Sequence, residues 1–365
     1  MIPIARPVIG EEEQAAVLEV LRSRHLSLGP KLPEFEQAFA QRIGAAHASA
    51  VSSGTAALHL ALRAVGVSDG DEVVTTPFSF VASANAIVFE RARPVFADID
   101  PITLNIDPDA ATAAITDRTT ALLPVHIVGF PADLPALGRS GLPIVEDACE
   151  ALGAVHADGV AVGARGNPAA FGFYANKQLV TGEGGMLTCG DAEVAATVRS
   201  ERNQGRADDM DWLSHDRMGF NYRLSDVAAA LGVAQMERLD SLLAGRDRVA
   251  HLYRERLSSI EGLVLPCEDR GNERRSWFVF VAQLPAECDR DGVIGALAAK
   301  GIASKAYLPC IHLQPLYRER FGFRGGEFPV AERVAARSLA LPFFTAMGEA
   351  HVDRVALALE AALGR

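Results

Sequence analysis

Lys177 stands between a strand-like apolar run and a glycine-rich stretch: Phe171-Gly172-Phe173-Tyr174-Ala175-Asn176-Lys177-Gln178 leads on to Thr181-Gly182-Glu183-Gly184-Gly185. A lysine held out of water or near other cations has a lowered pKa, and its neutral amine attacks aldehydes. Glycines beside it let the backbone pass close to a bulky ligand. Asp147 ends the apolar run that begins at Pro143, and ligands of open α/β sheets sit at the carboxyl ends of strands. A carboxylate there can hold a protonated pyridine nitrogen through a charge-assisted hydrogen bond. Ser52-Ser53-Gly54-Thr55-Ala56-Ala57 lies between a strand-like and a helix-like segment. Such a turn gathers free backbone N–H groups and the positive helix end at one point, which suits an anion. Each segment also has a plainer reading: a solvated surface lysine, an Asp147 that caps a helix from Ala148, and an ordinary Ser/Thr N-cap. Together, a phosphate nest, a strand-end aspartate and a lysine beside a glycine-rich loop make the set that one pyridoxal-phosphate site requires.

The elements needed to place these residues alternate along the first half of the chain. Residues 11–22 and 32–43 read as amphipathic helices, the first with acidic residues in its opening turn, where the helix dipole favours them. Strand candidates follow at 72–76, 94–98, 120–125, 143–147, 169–174 and 185–189, with a helical pattern at 80–89. Several are continuous apolar runs, as strands covered by helices on both faces require. The alternation predicts an α/β fold with a mostly parallel sheet. A long helical stretch, 225–257, reads as a connector, and beyond it come strand-like 276–284, helix-like 290–301 and a final helix. The expected division is a large cofactor-binding domain over 1–239 and a smaller α+β domain over 240–365.

The chain has 365 residues and a net charge of −11, with both signs scattered. An acidic chain without basic runs argues against nucleic acid and anionic membrane surfaces as partners. Five cysteines, odd in number and without a CxxC pair, argue against zinc and disulfide frameworks and for reduced thiols. The first residues carry neither a basic nor an apolar signal region, and no apolar run approaches the ~20 residues that span a bilayer. A cytoplasmic location is the expectation.

The segments VSSGTAALHLAL, GDEVVTTPFSFVASANAI, PVHIVGFPADL, VEDACEALGA, FYANKQLVTGEGGML and GFNYRLSDVAAALG resemble the DegT-type nucleotide-sugar aminotransferases of pyridoxal-phosphate fold type I. The resemblance runs over nearly the whole chain. It implies that Lys177 forms the Schiff base and shuttles protons, that Asp147 pairs with the pyridine nitrogen, and that Phe80 stacks on the cofactor ring. Gly54 and Thr55 are then phosphate ligands. Asn221 is expected to reach the phosphate of a neighbouring subunit, which implies a homodimer with shared sites. His312 is a candidate substrate contact or else a structural loop histidine, and Arg223 a candidate contact to a carboxylate or diphosphate or else a residue of the dimer interface. His126 is expected near the cofactor, Trp212 and Trp277 in packing, and the polar segment 202–217 in a substrate-facing loop. Two positions depart from the family pattern. Gly172 stands where many relatives have a phosphate-binding serine, and Glu150 where many have a glutamine near the ring oxygen. Glutamate there resembles some four-position sugar aminotransferases.

The implied reaction is a two-stage transfer in which an amino acid, glutamate by resemblance, aminates the cofactor and a keto-sugar nucleotide then takes the amino group. Three rivals stand beside it: a transaminase for a cyclitol or other ketone, a sugar dehydratase on the same scaffold, and a non-catalytic cofactor-binding regulator. Relatives of the dehydratase kind carry histidine in place of the lysine, so Lys177 counts against that reading.

Overall fold

The computed structural model describes residues 1–207 and 214–364. Trp212 and the middle of the 202–217 segment lie outside the described residues. Seven strands form the large sheet: β1 (His47–Val51), β2 (Glu72–Thr75), β3 (Arg93–Phe96), β4 (Thr119–Leu123), β5 (Glu146–Asp147), β6 (Ala169–Gly172) and β7 (Gly185–Cys189). Their ladders run β1-β7-β6-β5 and β3-β2-β4, and bridges from Leu122 to Ile144 and from Val125 to Asp147 join them. All are parallel except β7, which runs against both β1 and β6. Neighbouring side chains point to opposite faces, yet both faces are covered. Val73 and Ala170 pack with the helix Gly54–Ala64, whereas Phe171 joins Phe35, Phe39 and Phe173 and Val74 joins Leu134 and Leu137. This double burial is why the strands read as unbroken apolar runs.

The predicted connector is not one helix. It divides at Arg238 into Asp226–Glu237 and Leu239–Leu257, because the chain turns there and the Arg238 guanidinium pairs with buried Glu13 at 3.0 Å. Asp226, itself buried, accepts amide hydrogen bonds from Gly29, Lys31 and Leu32. It thereby satisfies the open N-terminus of the helix Lys31–Ile43.

Beyond that turn, β8 (Phe280–Gln283), β9 (Lys305–Ala306) and β10 (Ser338–Leu341) form an antiparallel sheet of order β8-β10-β9. One face, with Phe280, Leu339 and Leu341, packs on Tyr253, Leu297 and Val352 of three helices. The other, with Val281 and Ala340, packs on Phe78, Val125 and Val128 of the large lobe. Trp277 lies in the first of these cores, as expected of a packing residue. The first residues also run with this lobe: Ile2 bridges Ile302 and Phe343 donates its amide to Ile4. Among the described residues no helix is long and apolar enough to cross a membrane.

His156 shows how tightly this scaffold is closed. Its ring is 3 % exposed, beside His126 at 5.6 Å. Burial, then the neighbouring His126, lowers its pKa to about 4, so it folds neutral. The unfolded chain binds the extra proton, so stability is whole above pH ~6.5 and is lost as pH falls from there toward 4. The loss is expected to be on the order of 3 kcal/mol. Urea midpoints at pH 7 and pH 4.5 for the parent and His156→Gln check this. The parent should lose more on acidification, and equal losses would overturn the assignment.

Candidate active site

The ends of β1, β5 and β6 open on one cavity of about 400 Å³, lined by Gly54, Thr55, Phe80, Asp147, Cys149, Glu150, Gly172 and Lys177 among others. At one wall the helix Gly54–Ala64 begins. Ser53 is its N-cap, accepting from the Ala56 amide at 3.1 Å, so the plainer reading of that serine holds as well. The amides of Gly54 and Thr55, in the first helical turn, have no acceptor among the described residues. Free first-turn amides at the positive end of a helix suit a phosphate. The wall also has to be bare: a Cβ on Gly54 would lie 2.7 Å from Cys149 Sγ, and one on Gly185 would lie 2.4 Å from the Ser53 carbonyl. At Gly172 a Cβ would meet Cys149 at 3.5 Å, an ordinary contact. A Cβ would therefore be accommodated at this position, and glycine brings no side-chain donor to the cradle.

Asp147 is buried at the end of β5. Its Oδ2 accepts from Ser83 Oγ at 2.7 Å and its Oδ1 from the Cys149 amide at 3.1 Å. A turn follows it rather than the predicted helix. These donors orient the carboxylate and leave it lone pairs for a protonated ring nitrogen. Lys177 is half-buried in a turn after β6, its amide bonded to the Tyr174 carbonyl. Its Nζ lies 3.9 Å from the centre of the Phe278 ring. Phe80, at the cavity edge and 61 % exposed, presents a free face for a flat ligand. A cradle for phosphate, an acid for a pyridinium and an amine for an aldehyde thus face one space, a donor set that fits pyridoxal phosphate.

Glu150, also on the cavity lining, is buried. Tyr307 donates its hydroxyl to both carboxylate oxygens at 2.7 Å, and the Val128 amide donates at 2.8 Å. Burial raises its pKa against the opposing pull of Lys177 and these donors. A raised carboxyl pKa makes the ionised form costly, and the cost appears only as pH climbs above the ordinary carboxylate range. Glu150→Gln is therefore expected to match or exceed the parent's urea midpoint at pH 8 and to gain nothing at pH 4. A lower midpoint at pH 8 would show that the ionised carboxylate is net stabilising.

Four expected residues do not line this cavity. His312 is fully buried, with Nε2 on Glu332 at 3.0 Å and its ring among Phe96, Phe323 and Phe328. In this arrangement it packs in the aromatic cluster and does not line the cavity. His126 is turned to the far side, where its Nδ1 accepts from the Ala132 amide at 2.9 Å. Its Nε2 then carries the proton toward Glu146 at 3.1 Å. Arg223 borders a separate cavity with Arg199 and Arg202 and is held by Asn203 at 3.0 Å. Asn221 is exposed. Ser83 sits in the same segment as Phe80 without having been singled out, and Phe278 and Tyr307 come from remote segments that carry no motif.

The profile of the DegT/DnrJ/EryC1/StrS aminotransferase family matches residues 7–360. The chain is 39% identical to the spore coat polysaccharide biosynthesis protein SpsC of Bacillus subtilis, over 97% of this chain and 95% of that one. It is 37% identical to GDP-perosamine synthase of Caulobacter vibrioides, over 99% and 98%. The crystal structure of S. venezuelae DesV in complex with a ketimine intermediate superposes with a TM-score of 0.91 at 36% identity, covering 97% of this chain and 95% of that one. By these matches over nearly its whole length, the chain belongs to the DegT/DnrJ/EryC1/StrS family and is a pyridoxal-phosphate-dependent sugar aminotransferase.

Proposed function

We propose that this aminotransferase moves an amino group from glutamate to a keto-sugar nucleotide of the 4-keto-6-deoxy class, as a cytoplasmic homodimer with shared sites. The observation that carries the reading is the meeting of Lys177, Asp147 and the Gly54 and Thr55 amides on one cavity. Bound pyridoxal phosphate supplies an electron sink for the carbon that loses its proton. The protein does the rest. The Gly54 and Thr55 amides hold the phosphate, Asp147 keeps a proton on the ring nitrogen, and Phe80 covers a ring face. Lys177 Nζ takes the α-proton of the donor in the first half and returns a proton to the sugar carbon in the second.

For the acceptor, support comes from the relative named GDP-perosamine synthase and from Glu150 in the place of glutamine. For the dimer, it comes from Asn221, which is exposed yet absent from its own chain's cavity. The phosphate contact that the resemblance assigns to Asn221 would then be made to a second copy, and Arg223 two residues on would be available to a substrate diphosphate. Five free cysteines agree with a reducing compartment.

The test is the visible spectrum of the purified protein before and after glutamate, followed by addition of 4-keto-6-deoxy nucleotide sugars to the aminated form. The cofactor band should shift with glutamate and return with the sugar. A band that other amino acids shift and glutamate does not would overturn the donor. Recovery with a cyclitol ketone alone would overturn the acceptor, and a monomer by light scattering would overturn the shared site.

A further inference from the structure

Arg246 is a buried cation that pairs with no acid among the described residues. It sits on the helix Leu239–Leu257 and is 3 % exposed, and its hydrogen-bond partners among the described residues are carbonyl groups. Nη1 donates to the Phe278 carbonyl at 2.9 Å, and Nη2 donates to the carbonyls of Lys177 at 2.9 Å and Asn176 at 3.2 Å. The Phe343 ring lies 5.8 Å away, and Nε has no partner. Burial lowers the guanidinium pKa to about 10, so it keeps its charge at neutral pH. A buried charge is costly unless it is well hydrogen-bonded. Core packing alone would be served better by an apolar side chain, so the placement of this one calls for a reason.

The three carbonyls supply it. Two belong to the turn that carries Lys177, and the third belongs to the residue whose ring lies 3.9 Å from Lys177 Nζ. One planar fork thus fixes the lysine at its backbone and, through Phe278, at its tip. The fork also ties the two lobes at the point where both line the cavity.

We infer that Arg246 is a positioning residue for Lys177, holding the lysine's turn and the Phe278 wall in the one register from which the amine meets the cofactor aldehyde. The inference rests on the reading of Lys177 as the attachment lysine. A planar guanidinium reaches divergent carbonyls that a single ammonium cannot hold in the same geometry. Arg246→Lys should therefore restore the positioning only in part, and Arg246→Met not at all.

The experiment measures both variants in two states. In the apoprotein, hydrogen exchange of the peptide covering 174–178 should quicken at least tenfold in Arg246→Met, while the β6 strand at 169–172 stays protected. On reconstitution, covalent attachment of pyridoxal phosphate, followed by its visible band, should slow by roughly 10²-fold, the scale on which small misplacements act. Arg246→Lys should fall between. Unchanged exchange at 174–178 and unchanged attachment in a folded Arg246→Met protein would overturn the inference. If Arg246→Met does not fold, Arg246→Lys decides, since parent-like exchange and attachment there would equally overturn it. A lysine-linked band that persists in Lys177→Ala would sink the reading of Lys177 instead, and the apoprotein exchange would still report on the clamp.

Discussion

Lys177→Ala should abolish the visible band of the lysine-linked cofactor and lower turnover by roughly 10³-fold or more. The amine has two duties, covalent attachment and proton transfer, and general acid–base catalysis alone contributes about 10²–10⁴-fold. Nothing else near the cavity replaces it. The other described lysines are Lys31, Lys300 and Lys305, and none of them lines the cavity. The cradle is untouched by the change, because the Gly54 and Thr55 amides and Asp147 belong to other segments. The variant should therefore still retain the cofactor non-covalently. Stability should fall by no more than the contact of the side-chain nitrogen with the Phe278 ring is worth, ~0.5–2 kcal/mol. Absorption spectra after reconstitution, with borohydride reduction and peptide mapping of the parent, check both halves of the expectation. Substantial turnover in the variant, or label on another lysine, would overturn the assignment.

What could be read in the sequence was local. Gly54, Thr55, Asp147 and Lys177 each sit where a strand stops, and a strand end announces itself by the change from an apolar run to turn residues. The residues that finish the site were illegible for the opposite reason. Ser83 reaches Asp147 across 64 positions and Tyr307 reaches Glu150 across 157, and only tertiary packing creates these pairs. The same distinction explains the sheet. Strands were visible as apolar runs, but their order, and the reversal of β7 between β1 and β6, depends on which helices cross which face. The break at Arg238 escaped because helical periodicity continues through it, whereas the partner that fixes the turn, Glu13, lies at the other end of the large lobe's sequence. The loop setting of His312 is compatible with a substrate contact and with a structural place alike. Phe96, which shares its aromatic cluster, is remote in sequence, so the enclosure was not visible in its own segment.

Asp147→Ala should leave cofactor attachment intact and depress turnover by on the order of 10²-fold or more, with little change in the KM for glutamate. The carboxylate does not touch the carbon that reacts. It acts by keeping the ring nitrogen protonated, so that negative charge developing on the substrate carbon is drawn into a cationic ring. Electrostatic stabilisation of that kind is expressed in the transition state far more than in substrate binding, and its loss lowers kcat rather than raising KM. In the structure the Asp147 carboxylate is oriented by Ser83 Oγ and the Cys149 amide. Removing it leaves the Cys149 amide unpaired, while Ser83 Oγ keeps Ser79 Oγ and the Phe80 carbonyl, and should cost about 1–3 kcal/mol of stability. Melting curves have to accompany the kinetics for that reason. A second measurement separates electrostatics from misfolding. Reconstituting Asp147→Ala with N-methylated pyridoxal phosphate supplies a permanent positive charge on the ring nitrogen, and the shortened side chain leaves room for the methyl group. Recovery of most of the lost rate would show that charge on the ring is what Asp147 maintains. An equal deficit with either cofactor in a folded protein would mean that its task is to hold the Ser83 and Cys149 wall, and the protonation role would fall.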